Sequence, residues 1–191
     1  MKRRAVQNRT VPRTFDDVSL TGSGFSLRPL TEADTDDVAA ACRDELTQKW
    51  LPLPQPYTAE TALAFITRLA PAQRTSGSGL VRAIDVDGRV SGVIDLKHTD
   101  WREQVAEIGY WVAPWARGAG LAGRASRLLS TWALQNQGME RLVIRAATGN
   151  SASRRAALAA GFLSEGIARS GGYTHEGRVD LEVFSRIKSD L

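Results

Sequence analysis

Apolar and polar residues alternate in the middle of the chain in the manner of β-strands. LVRAIDV (80–86) and RVSGVIDLKH (89–98) are rich in β-branched residues and flank the pair Asp87-Gly88. An Asp-Gly pair between two such runs is a strong signal for a hairpin, because both residues accept the backbone angles of a tight turn. QVAEIGYWV (104–112) follows as a further strand. The pattern therefore predicts three consecutive strands, the first two joined by a two-residue turn.

A spacing of three and four residues predicts the helices. Residues 58–69 carry apolar side chains at this spacing, after a threonine suited to cap the first turn. Residues 120–135 and 151–160 show the same pattern, and the glycine after the second segment is a usual helix stop. Thr31 begins a further helix that runs to about Glu45.

The elements follow one another in the order β-α-α-β-β-β-α-β-α-β-β. The outer strands are predicted at residues 25–30, 141–148 and 178–187, and the strand before the last one has no clear bounds. A chain of 191 residues is long enough for one domain with a full hydrophobic core and short for two. The predicted fold class is therefore α/β, or α+β, in a single domain.

Composition narrows the class of protein further. Hydrophobic residues make up 42% and charged residues 24% of the chain, and no apolar run approaches the ~20 residues that cross a membrane. A single cysteine, Cys42, excludes an internal disulfide, and the two histidines show no metal-ligand spacing. We expect a cytoplasmic protein without a metal and without a membrane partner.

Positive charge is concentrated at the N-terminus. Residues 1–13 hold five basic side chains and no acid, and the rest of the chain has 20 basic and 21 acidic residues. No apolar segment follows, so this is not a secretory signal. We interpret residues 1–20 as a basic, flexible extension of a domain that spans 21–191. The alternative is an arm that binds nucleic acid or ribosome, but no aromatic residues lie between the charges.

A glycine-rich loop follows the third central strand. GAGLAG (118–123) matches the G-x-G-x-x-G pattern of dinucleotide-binding loops, and a helix start after it can hold phosphate. Pro114 and Trp115 separate it from the strand, however, and Glu140 opens the next strand instead of closing it. Only 73 residues follow Gly118, too few for the rest of a dinucleotide fold.

Read from Arg117, the loop has the form R-x-x-G-x-A and resembles the pyrophosphate loop of the GNAT superfamily of N-acetyltransferases. EIGYWVAPWARGAGLAGRA (107–125) resembles its strand, loop and helix, and NSASRRAALAAGFLSEGIAR (150–169) is similar to a stretch of the RimJ/RimL branch. The likeness covers roughly residues 25–187. It implies a mixed sheet of about six to seven strands, with strands 4 and 5 splayed apart, and about four flanking helices.

The resemblance also implies where coenzyme A lies. Its pyrophosphate would bind main-chain amides at the start of the helix, and the Arg117 side chain would add charge. Val112 would offer its N–H to the thioester carbonyl, and Trp111 beside it would form the wall of the groove. The residues so assigned to the loop are Arg117, Gly118, Ala119, Gly120, Leu121 and Ala122.

The catalytic residues are assigned in the same way. Asn150 and Ser153 begin a helix, and the resemblance gives Ser153 the protonation of the departing thiolate, although Asn150 is also a good helix cap. The commoner superfamily pattern has a tyrosine seven residues after the asparagine, where this chain has Ala157. Glu107 is the candidate general base. An α-amine, with a pKa near 8, needs far less help to lose its proton than a lysine near 10.4.

We therefore expect an enzyme that transfers an acetyl group from acetyl-CoA directly to a primary amine, most readily the α-amine of a protein or peptide. Residues 46–60 and 170–178 would shape the acceptor site. Small amines or antibiotics are alternative acceptors, and a non-catalytic acyl-CoA sensor is a rival of another class. A homodimer is plausible from the resemblance, and we expect no nucleic-acid partner apart from a contact of the basic extension.

Overall fold

A mixed sheet of eight strands forms the centre of the computed structural model, which describes residues 13–191. The strands lie in the order β1-β2-β3-β4-β5-β6-β8-β7, and every neighbouring pair is antiparallel except β5 and β6. Their bounds are β1 Leu20–Gly22, β2 Phe25–Arg28, β3 Leu80–Val86, β4 Arg89–Asp100, β5 Val105–Val112, β6 Arg141–Ala147, β7 Leu163–Thr174 and β8 Gly177–Ile187.

Six α-helices flank the sheet within residues 13–191. They are α1 Thr35–Arg43, α2 Glu45–Trp50, α3 Ala59–Ala64, α4 Ala70–Ser76, α5 Leu121–Asn136 and α6 Ser151–Ala159. A π-helical turn, Phe65–Leu69, joins α3 to α4. No helix among residues 13–191 has the length and apolar character that a membrane-spanning segment requires.

The predicted fold class is confirmed, and the number of strands is corrected from six or seven to eight. The additional strand, β1, has only three residues, too few to show a period. β7 is the strand for which the sequence showed no clear bounds, because eight of its twelve residues are exposed and no apolar alternation marks them. The splayed pair is β5 and β6, which were strands 4 and 5 in the shorter count.

Each face of the sheet buries its own set of side chains. Leu129 of α5, Ile144 of β6 and Phe184 of β8 belong to the larger core, between the sheet and helices α5 and α6. Val38 of α1 and Ile66 pack on the opposite face, beneath the helices of the first half of the chain. The period of two along each strand thus supplies apolar residues to both faces.

The segment before β1 packs on the domain. Phe15 is 1% exposed and lies against Trp101, with ring centroids 4.7 Å apart. The buried guanidinium of Arg82 donates to the carbonyl of Val18 and to Asp17. Phe15, Asp17 and Val18, which lie in the predicted extension 1–20, therefore contact the domain. Residues 1–12, which include the other four basic side chains of this segment, lie outside the described part of the chain.

Candidate active site

A wedge opens between the two parallel strands. β5 and β6 pair at only three positions, Val105–Arg141, Ala106–Leu142 and Glu107–Val143, and then separate. Beyond Glu107, β5 pairs only with β4 on its other edge. The rest of β5 therefore has one edge free to bind a ligand.

Two main-chain amides of β5 point into this wedge. The N–H of Ala113 donates to the carbonyl of Ser91 at 2.9 Å, so this pair is a hydrogen-bonded one. Such pairs alternate along an antiparallel ladder with pairs whose amides point the other way. Val112, opposite Gly92, and Tyr110, opposite Ile94, therefore direct their N–H groups toward β6. The amide of Val112, the predicted donor to the thioester, thus faces the wedge, and so does the amide of Tyr110.

The glycine loop leads directly into the N-terminus of α5. Gly118 and Gly120 have φ angles of +88° and +66°, and a Cβ added at either one would meet no atom within 4 Å. No side chain of the described residues caps the helix at Gly120. The N–H groups of the first turn, which have no partner within the helix, therefore face open space, where they can bind an anion. Ala119, Leu121 and Ala122 complete the predicted loop.

The side chain of Arg117 lies elsewhere than we predicted. Its Nε donates to the carbonyl of Val112 at 3.2 Å, and its Nη2 donates to Thr47 at 3.0 Å and forms an ion pair with Asp44. The hydrogen bond from Arg117 lowers the pKa of Asp44. The guanidinium thus ties the loop to α2 through contacts within the protein.

Ser153 faces β5 across the wedge. Asn150 caps α6, since its Oδ1 accepts the N–H of Ser153 at 3.0 Å. The Ser153 hydroxyl lies 3.0 Å from the hydroxyl of Tyr110, which also lies 3.0 Å from the Ser153 carbonyl. Ala157, where the commoner pattern has tyrosine, is fully buried. Sequence reasoning did not find Tyr110 as a partner of Ser153, because the contact joins β5 to α6.

Glu107 occupies the last paired position before the wedge. Its side chain is 14% exposed and its Oε2 accepts from Arg145 Nε at 2.9 Å. Lys97 Nζ lies 3.5 Å from Oε1, and His98 Nδ1 lies 3.4 Å from Oε2. The carboxylate is therefore fixed in place by three basic side chains.

Asp95 is a second carboxylate on the same face of the sheet, and no sequence motif marks it. It pairs with Gly109, whose N–H donates to Asp95 Oδ1 at 2.9 Å. A Cβ at position 109 would come within 2.5 Å of that oxygen, so the glycine makes room for it. Burial raises the pKa of Asp95, against the opposing effect of Lys97. A carboxyl group of this kind is suited to accept a proton.

Replacing Asp95 with Asn is expected to stabilise the protein at neutral pH. The folded state holds the proton more tightly than the unfolded state, where the pKa is near 3.8. Stability is therefore lost as the pH rises through the raised pKa, about 1.4 kcal/mol for each unit of the shift. Urea unfolding at about pH 7 should show the gain, and it should shrink toward about pH 4. The exposed turn variant Asp87→Asn should show no such pH-dependent gain.

The two segments expected to shape the acceptor site meet beside the wedge. His175, at the tip of the β7–β8 hairpin, has its Nε2 3.2 Å from Oε1 of Gln48 in α2. A depression of about 260 Å³ lies next to this contact and is lined by Arg43, Glu45, Gln48, Gln55, Pro56 and Tyr57. It opens on the side of the sheet that carries α1 and α2.

Comparison with known proteins agrees with this geometry. Residues 25–163 match the model of the acetyltransferase (GNAT) domain. The chain belongs to the GNAT family. The GNAT fold accounts for the single mixed sheet, and the chain is an N-acetyltransferase that takes its acetyl group from acetyl-CoA. In residues 13–191, no three His, Cys, Asp or Glu side chains are grouped so that they could hold a metal ion.

Two relatives and one solved structure are similar to this GNAT enzyme. YdaF of Bacillus subtilis (strain 168), assigned as a ribosomal N-acetyltransferase, is 35% identical over 143 residues, 74% of this chain and 78% of its own. The ribosomal-protein-serine acetyltransferase of Escherichia coli (strain K12) is 29% identical over 96 residues, 50% of this chain and 54% of its own. RimJ of Mycobacterium smegmatis, solved with CoA-disulfide, shares the fold with a TM-score of 0.83, at 19% identity over 92% of this chain and 90% of that one.

Proposed function

We propose that the acceptor is the α-amine of a protein N-terminus, with ribosomal proteins as the substrate class. The names of two relatives support this class, since both refer to ribosomal acetylation. The observation that carries the proposal is the pair of carboxylates, Glu107 and Asp95, held on the acceptor side of the wedge. Removing a proton from an α-amine at neutral pH costs about 1 kcal/mol, and from a lysine more than about 4 kcal/mol. A carboxylate acting through water meets the smaller requirement.

The donor site in this proposal is the loop and the free edge of β5. The main-chain amides of residues 117–122 bind the diphosphate of acetyl-CoA, because the start of α5 is uncapped and open. The pantetheine arm lies in the wedge, with Trp111 at its wall. The thioester carbonyl accepts from the amide of Val112 or of Tyr110. Tyr110 is three residues from Glu107, about 10 Å along the strand, whereas Val112 is about 16 Å away.

The chemistry is a direct attack in a ternary complex. Glu107, through water, takes a proton from the amine as its nitrogen bonds to the thioester carbon. A main-chain N–H of β5 stabilises the oxyanion, an interaction worth about 2.7–4 kcal/mol in comparable sites. The C–S bond then breaks and its electron pair moves to the sulfur, where the Ser153 O–H donates a hydrogen bond to the thiolate until solvent protonates it. An acetyl-cysteine intermediate is not part of the proposal, because Cys42 is buried in α1 and burial raises its pKa to about 12.

Assembly is part of the same proposal. β7 is an edge strand, and its exposed apolar residues are Leu163, Ile167 and Tyr173. An exposed apolar edge of this kind favours pairing with a second copy. We therefore propose a homodimer that uses β7. Small amines remain alternative acceptors, and any role of the basic residues 1–12 lies outside the described part of the chain.

A peptide assay tests the acceptor class. Release of free thiol from acetyl-CoA should be at least about 100-fold faster with a peptide that has a free N-terminus than with the same peptide blocked there and bearing one lysine, measured near pH 7. Polyamines and aminoglycosides are tested in the same assay as small-amine acceptors. Preference for any of these over free N-termini would overturn the proposal, while leaving acetyl transfer itself in place.

A further inference from the structure

The hydroxyl groups of Tyr110 and Ser153 form a contact across the wedge that the sequence did not predict. Tyr110 lies on the free-edged part of β5 and packs against the larger core. Its hydroxyl is 3.0 Å from Ser153 Oγ and 3.0 Å from the Ser153 carbonyl oxygen. Since Ser153 lies in the first turn of α6, the pair spans from strand to helix where the thiol would leave.

Counting hydrogens leaves two arrangements for this pair. The carbonyl of Ser153 can only accept, and Tyr110 has a single hydrogen to donate. If that hydrogen goes to the carbonyl, the Ser153 O–H is free to donate back to Tyr110 and is not available to a substrate. If it goes to Ser153 Oγ, the serine hydrogen must point elsewhere, and the wedge is the space next to it.

We propose that Tyr110 is a positioning residue that donates to Ser153 Oγ and thereby aims the serine hydrogen at the sulfur of the departing CoA. The proposal rests on the proposed role of Ser153 as hydrogen donor to the thiolate. As the C–S bond breaks and its electron pair moves to sulfur, the serine O–H donates to that sulfur. Tyr110 keeps its own proton throughout, and the thiolate is protonated finally from solvent.

Proton affinities favour this aiming role over a relay in which Tyr110 gives up its proton. Burial raises the pKa of Tyr110 above its usual value of 10, against a lowering effect of the bond to Ser153. A thiol has a pKa near 8.5, so full transfer from the phenol to the thiolate runs uphill. A hydrogen bond from Ser153 to the negative charge that develops on the sulfur needs no such proton transfer. The positive potential at the N-terminal end of α6 also stabilises that charge.

The experiment is a double-mutant cycle on Tyr110→Phe and Ser153→Ala, with the exposed Ser189→Ala, near the end of the chain, as the control. Each active-site variant should lower kcat by about tenfold, with the KM for acetyl-CoA within about twofold of the wild type. The double variant should lose no more than either single one, because both changes remove the same aimed hydrogen. Ser153→Thr, which keeps the hydroxyl, should recover most of the rate.

Several results would overturn the proposal. They are an unchanged kcat for Tyr110→Phe, losses that multiply in the double variant, or a loss that appears only in the KM. Melting temperatures measured in parallel show whether a lower rate follows from lower stability, and a fall in kcat fully explained in that way would also count against it. The slow hydrolysis of acetyl-CoA without acceptor breaks the same C–S bond. The rates of the double-mutant cycle can therefore be measured on this hydrolysis even if N-terminal peptides prove not to be substrates.

Discussion

Replacing Glu107 with Gln is expected to lower kcat/KM for an N-terminal peptide by roughly 10²–10⁴-fold near neutral pH, the usual contribution of a general base. Glutamine keeps the size of the side chain and an oxygen that can accept from Arg145 Nε. It cannot take up a proton. The loss should therefore appear mainly in kcat, while acetyl-CoA binding, measured by calorimetry, stays within about threefold.

The pH dependence of the rate distinguishes a general base from a residue that only maintains the structure of the site. Above the pKa of the α-amine, near 8, the amine is already neutral and needs no base. The deficit of Glu107→Gln should accordingly shrink as the pH rises to about 9, whereas a distorted site would remain slow at every pH. Glu103→Gln, an exposed change in the turn between β4 and β5, is the charge control and should leave the profile unchanged.

Asp95 is the alternative candidate for the general base, and the same experiment tests it. If Asp95→Asn removes the acidic limb of the rate profile and Glu107→Gln does not, the base is Asp95, whose pKa is raised by burial. If neither variant changes the profile, both carboxylates lose their proposed role and solvent is the base. The stabilisation expected of Asp95→Asn is independent of this result, because it depends only on burial of the charge.

Local signals explain how much of the fold the sequence could predict. The Asp87-Gly88 turn forms as expected, with φ angles of 53° and +82°, because the two residues determine it by themselves. The segments predicted as helices 120–135 and 151–160 form α5 and α6 within one residue at each end. β7 could not be bounded, since it lies at the sheet edge with neither face deeply buried and shows no period.

The candidate site was predictable only where a motif is continuous in sequence. The glycine loop and the start of α6 each lie within a few residues, so their geometry follows from local rules. Asp95 is brought to Gly109 by the register of two strands, and Tyr110 is brought to Ser153 by packing of a helix 43 residues away. The ion pair between Arg117 and Asp44 joins residues 73 positions apart. Such contacts depend on tertiary structure, which a sequence motif does not contain.

Substituting alanine for Gly118 or Gly120 is expected to weaken CoA binding by roughly 10–100-fold, the equivalent of one or two charge-assisted hydrogen bonds. An L-residue at these positive φ angles is strained by about 1–2 kcal/mol, and relief of the strain rotates the neighbouring amides. The added Cβ also enters the open space in front of α5. Calorimetric titration with CoA measures the affinity, and urea unfolding measures the strain.

Gly138→Ala is the matched control for this change. Gly138 also has a positive φ, +72°, and a Cβ there would only touch the amide of Gln104 at 4.0 Å. It follows α5 at the end of the helix opposite to the loop. The control should therefore lose similar stability and keep its affinity for CoA. Equal weakening in all three variants would mean that general destabilisation, and not the loop, is responsible.

Acetyl-pantetheine makes the test specific for the diphosphate. It carries the same thioester and arm but lacks the group that the loop is proposed to bind. Its affinity should be low for the wild type and unchanged by Gly118→Ala or Gly120→Ala, since neither glycine contributes to the wedge itself. If the variants bind CoA as tightly as the wild type, or lose acetyl-pantetheine in equal measure, the diphosphate does not lie at the start of α5. The donor site would then have to be placed elsewhere along β5.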